Sequence, residues 1–383
     1  MRIIVAPDSY KGSISALGVA EAMEKGIKKV FARAEVVKLP IADGGEGTVE
    51  ALVSATGGRL RNKEVTGPLG EPVSALWGIL GDGKTAVIEM ATASGLPLVP
   101  PGRRDPRLTT TLGTGQLVKE VLDQGLSRLI LGIGGSATND GGMGFASALG
   151  IRFLDAGDGE LPPGGESLSR LARIDMDGVD PRLDSLAITV ACDVDNPLCG
   201  PRGASAIFGP QKGASPETVV LLDAALDHYG KLAAEATGRH IMDLPGAGAA
   251  GGLGAALLFF TRATLRPGIE IVLEAIDFDR LSATADLVIT GEGRTDRQTA
   301  FGKAPTGVAK LAKKHGVPVL CLSGGLSEDY EAIFDQGIDA AAACPPAPMS
   351  LEDCLAHGPA LVENAAERLC RVLKTGMDMG GRE

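Results

Sequence analysis

Aromatic residues are scarce, at 3% of 383 residues, so the chain has no platform on which nucleic-acid bases could stack. Positive charge is short as well: 37 Lys and Arg stand against 48 Asp and Glu, a net charge of −11. That balance argues against a nucleic acid or an anionic membrane surface as partner. It leaves room for a small anionic substrate, which a few local cations can meet. The one long uncharged apolar run, Leu253–Phe260, is far short of a membrane span. Six cysteines form no Cys-x-x-Cys pair, and Cys192 and Cys199 match no common metal spacing, so a reduced, cytoplasmic protein is expected. Met1-Arg2-Ile3 leads straight into a strand, and no leader peptide is expected. The histidines, His228, His240, His315 and His357, fall in or beside expected helices, which leaves a Ser-His-Asp hydrolase poorly supported. No Gly-x-x-x-x-Gly-Lys-Ser/Thr occurs, nor His-Arg-Asp or Asp-Phe-Gly, so neither a P-loop enzyme nor a protein kinase is expected.

What the chain has in quantity is glycine, 54 residues, set between aliphatic runs. Its length predicts two domains. Residues 1–60 read β-α-β-α: strand Ile3–Ala6, a helix from Ile14 with apolar Leu17, Ala20, Met23, Ile27 and Val30, strand Val36–Ile41, and helix Thr48–Ala55. Pro72–Leu80 and Lys84–Ala91 flank Gly81-Asp82-Gly83 as a hairpin. Strands at Arg128–Ile133, Ile151–Leu154 and Leu186–Cys192 follow, with helices at Gln116–Gln124, after Gly142, and at about 216–236 and 249–260. From Ala285 the opening rhythm returns, ending in helix Tyr330–Gln336, strand Ala340–Ala343 and one long helix Leu351–Lys374. The expected fold is α/β with two domains. Residues 1–61 and 283–383 share a parallel sheet, and 62–282 form an inserted α/β domain with a mixed sheet.

Two glycine-rich stretches organise the chain: Gly134-Gly-Ser-Ala-Thr-Asn-Asp-Gly-Gly142 and Gly291-Glu-Gly-Arg-Thr-Asp296. Each follows a buried strand, where open α/β sheets place their ligands. Glycines let backbone N–H groups approach an anion closely, and carboxylates beside them suit a metal brought in with it. Asp8-Ser-Tyr-Lys11 follows the first strand, and Asp43-Gly-Gly-Glu46 the second, so two neighbouring strands deliver Asp8, Lys11, Asp43 and Glu46 to one edge. Turn and cap chemistry explains part of this, with Ser13 or Ser15 as N-cap, but three glycines around two carboxylates exceed what a turn requires. Asp193-Val-Asp195-Asn ends another strand and offers oxygens to a hard cation or a proton. Lys212 lies among glycines in Phe208–Gly213, and Thr109–Gly115 could cradle an anion at a helix start.

Gly132-x-Gly134-x-x-Ala137, with Asp155 beyond, satisfies a dinucleotide-binding fingerprint on paper. Against it, Asn139 and Asp140 stand where a pyrophosphate would meet a carboxylate, and the helix is short. A nicotinamide-dependent oxidoreductase and a non-catalytic ligand sensor are the alternatives to a phosphoryl-transfer enzyme.

Taken together, Ala6–Ser13, Pro40–Thr48, Gly134–Gly144, Ala191–Leu198, Phe208–Gly213 and Gly291–Gly302 resemble the bacterial glycerate kinase family without a P-loop, in order from Met1 to about residue 375. The resemblance implies a flavodoxin- or Rossmann-like domain made of both chain ends, with a second α/β domain inserted. It implies ATP- and Mg2+-dependent phosphorylation of D-glycerate to 2-phosphoglycerate in the cleft between domains, which closes on binding; phosphorylation at C3 is the alternative. The expected catalytic set is Asp193, Asp43, Lys11 and Arg294. Asp193 or Asp43 would accept the hydroxyl proton, and Lys11, Arg294 or Lys212 would face the carboxylate. Substrate and nucleotide contacts are expected from Asp8, Ser9, Gly44, Gly45, Glu46, Gly134, Gly135, Ser136, Asn139, Asp140, Lys212, Gly291 and Gly293. Metal ligands are expected at Asp195, Glu292 and Asp296. D-glycerate and ATP are the expected partners, with no nucleic acid or membrane, and a homodimer is left open.

Overall fold

The computed structural model describes residues 1–380. The chain forms two compact units. One contains Met1–Asp43, Glu50–Gly57 and the chain from Ile269 onward; the other contains Gly44–Val49 and Gly58–Gly268. Both are α/β, as expected.

Aliphatic residues build the sheet of the first unit, most of them β-branched in the Arg2–Pro7 and Leu287–Gly291 strands. Its strands lie in the order Glu35–Lys38, Arg2–Pro7, Leu287–Gly291, Val319–Ser323, Ala340–Ala343, and every neighbouring pair is parallel. Ile3, Ile4, Val5, Val288 and Ile289 have no exposed surface, as a parallel sheet covered on both faces requires. Counted along the chain, the order is 2-1-3-4-5, the flavodoxin-like arrangement, which reverses its direction of growth beside the first strand. Register there runs from Ile3↔Leu287 to Pro7↔Gly291, so the loops after these two strands leave the sheet side by side. Only glycine fits at 291, because a Cβ would lie 1.7 Å from the Leu322 carbonyl oxygen of the neighbouring strand. Gly291→Ala is expected to cost about 1–3 kcal/mol or more through overpacking, read as a lower denaturation midpoint at unchanged slope.

Helix Ala16–Val30 covers one face of this sheet. Ser15 caps it, its Oγ accepting the Gly18 N–H at 3.2 Å. Its inward stripe is Ala16, Val19, Ala20, Met23 and Ile27; Leu17, expected on that face, points outward and is exposed. The single C-terminal helix expected at 351–374 is two, Leu351–Ala356 and Gly358–Gly380. Pro359 explains the break. It has no N–H for the Leu355 carbonyl, and it disfavours helical geometry in the residue before it. The Ser13 hydroxyl donates to that carbonyl instead, at 2.7 Å. Tyr330–Gln336 also departs from expectation, as a 3₁₀ helix.

The second unit holds a six-stranded mixed sheet in the order Thr264–Arg266, Ala187–Ala191, Arg128–Gly132, Thr85–Glu89, Pro72–Ile79, Arg59–Thr66. The first four strands are parallel and the last two antiparallel. The expected hairpin is present, with Trp77 opposite Ile88. Arg59–Thr66 was not expected as a strand, because six of its eight residues are exposed on a sheet edge and no apolar alternation marks it. The 249–260 helix begins irregularly: Ala250, Gly251 and Gly252 all have positive φ. A Cβ at Gly251 would lie 1.9 Å from the Thr138 carbonyl oxygen.

Arg152–Leu154 does not join the main sheet. It pairs antiparallel with Arg173–Asp175 in a separate two-stranded ribbon. The dinucleotide fingerprint requires the strands flanking its helix to share one parallel sheet, so the 132–137 pattern builds no such unit. Asp155 instead accepts the N–H groups of Gly157 and Gly159 in its own turn, at 2.8 and 3.0 Å.

Candidate active site

The carboxyl edge of the first sheet is where chemistry collects. Asp8 follows Arg2–Pro7, Glu292 follows Leu287–Gly291, Gly324 follows Val319–Ser323, and Cys344 follows Ala340–Ala343. All four residues line one hollow of about 420 Å³, with Asp43 from beyond the Glu35–Lys38 strand. This is the point where strand growth reverses, the usual ligand position in open α/β sheets. Lys11, Gly293, Arg294, Asp296 and Lys303 line the same hollow.

Asp8 is strongly perturbed. The Ser9 N–H donates to its Oδ1 at 2.6 Å, yet its pKa is pushed up to about 7. Burial is the main cause, then the charge of Asp43; the Ser9 N–H and Lys11 pull the other way, and Glu292 adds a smaller push. Burial raises Glu292 as well, although Thr299 Oγ1 donates to it at 2.6 Å and Lys303 lies 3.9 Å away. Four carboxylates beside three cations line the hollow, a site whose charge a metal and an anion together would balance. Asp296 has a further task. Its Oδ1 accepts from the N–H groups of Gln298 and Thr299 and caps the 297–301 turn.

The second unit has its own carboxyl edge. Gly134, Asp193 and Gly268 all lie just past its parallel strands. The Gly44–Val49 loop lies against this edge: a Cβ at Gly44 would fall 2.6 Å from Ala191 Cβ, one at Gly132 would fall 2.5 Å from the Gly44 carbonyl oxygen, and Gly45 is near Gly134. Glu89 pins the loop by accepting the Val49 N–H at 2.8 Å. Asp193 is exposed, and its Oδ1 accepts the Gly268 N–H at 2.9 Å. Asp195 is 74% exposed and paired with Arg202 at 2.9 Å.

The glycine-rich 134–142 stretch is held from beneath. Asn139 and Asp140 have no exposed surface. Asp140 accepts from the N–H and hydroxyl of Thr111 (both 2.8 Å) and from the N–H groups of Gly142 and Gly144 (3.1 and 3.2 Å). Asn139 donates to Ser205 Oγ at 3.0 Å. Lys212, 2% exposed, donates to Ser136 Oγ at 2.8 Å and to the Thr138 carbonyl at 2.7 Å.

Burial drives the Lys212 pKa down to about 7, with the Asp140 charge opposing. An unfolded lysine titrates near 10.5, so the unfolded chain holds more protons between these values. The stability penalty is therefore full below pH 7 and fades as pH rises to 10.5. The difference in unfolding free energy between wild type and Lys212→Met is expected to move in favour of the wild type across that window. Denaturant titrations from pH 6 to 10.5 check it, and a pH-independent difference would show an unperturbed amine.

A sequence model of the glycerate kinase family matches residues 3–374. The chain belongs to the glycerate kinase family. A glycerate kinase of Bacillus subtilis (strain 168) is 54% identical over 379 residues, 99% of each chain. A glycerate 2-kinase of Escherichia coli (strain K12) is 54% identical over 340 residues, 89% of each. A crystal structure from Salmonella typhimurium LT2, provisionally named glycerate kinase 2, superposes with a TM-score of 0.90 at 50% identity and covers 98% of this chain and 99% of that one.

Sequence reasoning passed over several residues of this hollow. Lys303, Tyr10, Cys344 and the wall at 351–362 all line the hollow. Lys303 had a signal, a lysine directly after Gly302 in a stretch already singled out. The apolar wall had none, because nothing local ties it to the Asp8 loop.

Proposed function

We propose that the chain transfers the γ-phosphoryl group of ATP to the C2 hydroxyl of D-glycerate, giving 2-phospho-D-glycerate and ADP. The observation that carries this reading is the hollow at the switch point, where Asp8, Asp43 and Glu292 face Lys11, Arg294 and Lys303 beside glycine-rich backbone. Phosphoryl transfer asks the protein for positioning and charge neutralisation more than for covalent chemistry, and these residues supply both. Lys11 and Arg294 meet the phosphate and carboxylate oxygens. Arg294 is suited to bidentate contact and Lys11 to a point charge. Asp193, with one oxygen fixed by the Gly268 N–H, accepts the hydroxyl proton as the oxygen attacks phosphorus. Lys212 holds Ser136 and Thr138 in place, which shapes the glycine-rich loop.

Among the described residues, no three His, Cys, Asp or Glu side chains are grouped to hold a metal by themselves. Magnesium asks for less: one or two carboxylates, with water and phosphate oxygens completing its shell. Asp8 and Glu292 fit that demand, because burial, helped by Asp43 beside Asp8 and Asp296 beside Glu292, opposes charge that a cation would stabilise. When bound, the ion neutralises phosphate charge. Asp195 is already paired with Arg202, and Asp296 already caps a turn, which makes them weaker choices. Among the described residues no helix is long and apolar enough to cross a membrane; a cytoplasmic, homodimeric enzyme is part of the same proposal, for fractionation and sedimentation to test.

Proton-coupled phosphorus NMR of the product from D-glycerate, ATP and Mg2+ tests the reading. A doublet places the phosphate on C2. A triplet moves it to C3, and no product removes the reading altogether.

A further inference from the structure

The hollow in the first unit has two unlike ends. Charge and glycine occupy one. The other is walled by Leu351, Leu355, Leu361, Val362, Cys344 and Cys354, which offer nothing to a phosphate. Leu351 is 74% and Leu355 37% exposed, so the Leu351–Ala356 helix presents open apolar surface to the hollow. The two ends are mechanically one. Ser13 Oγ, from the loop carrying Asp8 and Lys11, holds the Leu355 carbonyl at 2.7 Å. Tyr10, from that loop too, is buried beside Cys344 and donates to the Leu322 carbonyl at 2.5 Å. A volume of about 420 Å³ lies within the range of small-molecule sites, which are mainly apolar with a few fixed polar groups.

We propose that the apolar end seats the nucleoside of the phosphoryl donor. The phosphates then run past Gly293 and the Lys11 and Arg294 side chains toward the strand ends. This rests on the kinase reading and adds where, and by what chemistry, the donor is gripped. Glycerate, small and polar throughout, has no part that this wall would favour over water. A nucleoside has a flat, largely apolar base. Few polar groups at this end means the base is held by shape and burial more than by its hydrogen-bonding edge.

Cys354, half-buried in this wall, is a built-in reporter. The native enzyme is treated with N-ethylmaleimide and the modified cysteines are quantified by mass spectrometry, with the fully labelled denatured protein as reference. Alkylation of Cys354 is expected to slow with a non-hydrolysable Mg·ATP analogue and with adenosine, and to be unchanged with D-glycerate. Unchanged labelling at a saturating analogue concentration, or protection by D-glycerate alone, overturns the proposal. Turnover measured on the same preparation separates the two failures. Product formed without Cys354 protection removes the nucleoside subsite and leaves the kinase, whereas protection without product keeps the subsite and removes the kinase. As a second readout, Leu351→Ala/Leu355→Ala is expected to raise KM for ATP about tenfold through lost apolar contact and to leave KM for D-glycerate unchanged. Equal changes in both would also overturn it.

Discussion

Asp193→Asn is expected to cut turnover by about 10²–10⁴-fold, the range for a positioned acid or base, while the protein stays folded. The substitution is nearly isosteric, and the amide oxygen can still accept the Gly268 N–H that Asp193 Oδ1 accepts at 2.9 Å. The strand-end loop therefore keeps its anchor, and thermal denaturation should match the wild type. What disappears is a carboxylate able to take the hydroxyl proton. Asp193→Ala is less clean, because it also leaves the Gly268 N–H without that acceptor. The informative pattern is a fall in kcat with D-glycerate KM moving far less, which marks an interaction made in the transition state. Near-normal turnover would remove Asp193 from the role and pass it to Asp43, which ends the chain's path through the first unit before the Gly44–Val49 loop.

The parallel sheet was legible because its strands are short aliphatic runs, Ile3–Val5 and Val288–Ile289 among them, whose burial is complete. Arg59–Thr66 was not, because an exposed edge strand is held by its neighbour's backbone and needs no apolar pattern. The break before Pro359 was written in the sequence, yet apolar periodicity on either side of it reads as one helix. At the site, glycines and carboxylates after each strand located the carboxyl edge. Their direction was not legible. Asp8 and Asp140 both sit in glycine-flanked loops, but Asp8 lines an open hollow while Asp140 turns inward onto donors from Thr111 and its own loop. Which way a loop carboxylate faces depends on where distant donors lie, and Thr111 and Lys212 are far from it in sequence. Lys212 illustrates the same limit. Its glycine-rich setting suggested a ligand contact, and the structure buries its ammonium against Ser136 and Thr138.

Asp140→Ala is expected to be among the most damaging single substitutions in the second unit, costing about 3 kcal/mol or more, because it breaks a buried hydrogen-bond network. Three backbone N–H groups, those of Thr111, Gly142 and Gly144, would lose their acceptor in a place with no exposed surface, and each such loss is unfavourable by about 1–3 kcal/mol. The Thr111 hydroxyl would lose it too, and that hydroxyl in turn accepts the Phe145 N–H at 2.9 Å. Lys212, whose charge Asp140 supports, would remain buried with less to balance it. These losses share one cause, so they should not simply add. A double-mutant cycle exposes the electrostatic part: Lys212→Met in the Asp140→Ala background should cost less than in the wild type, because it removes an ammonium that has become uncompensated. Denaturant unfolding of the four proteins at pH 6, below the folded-state value of about 7 and so where Lys212 carries its charge, measures the coupling. Strict additivity would mean that Lys212 is neutral or screened there, and that Asp140 serves the glycine-rich loop through its hydrogen bonds alone. A positive coupling that vanishes above pH 10.5 would mean that charge as well as hydrogen bonding holds the loop in shape.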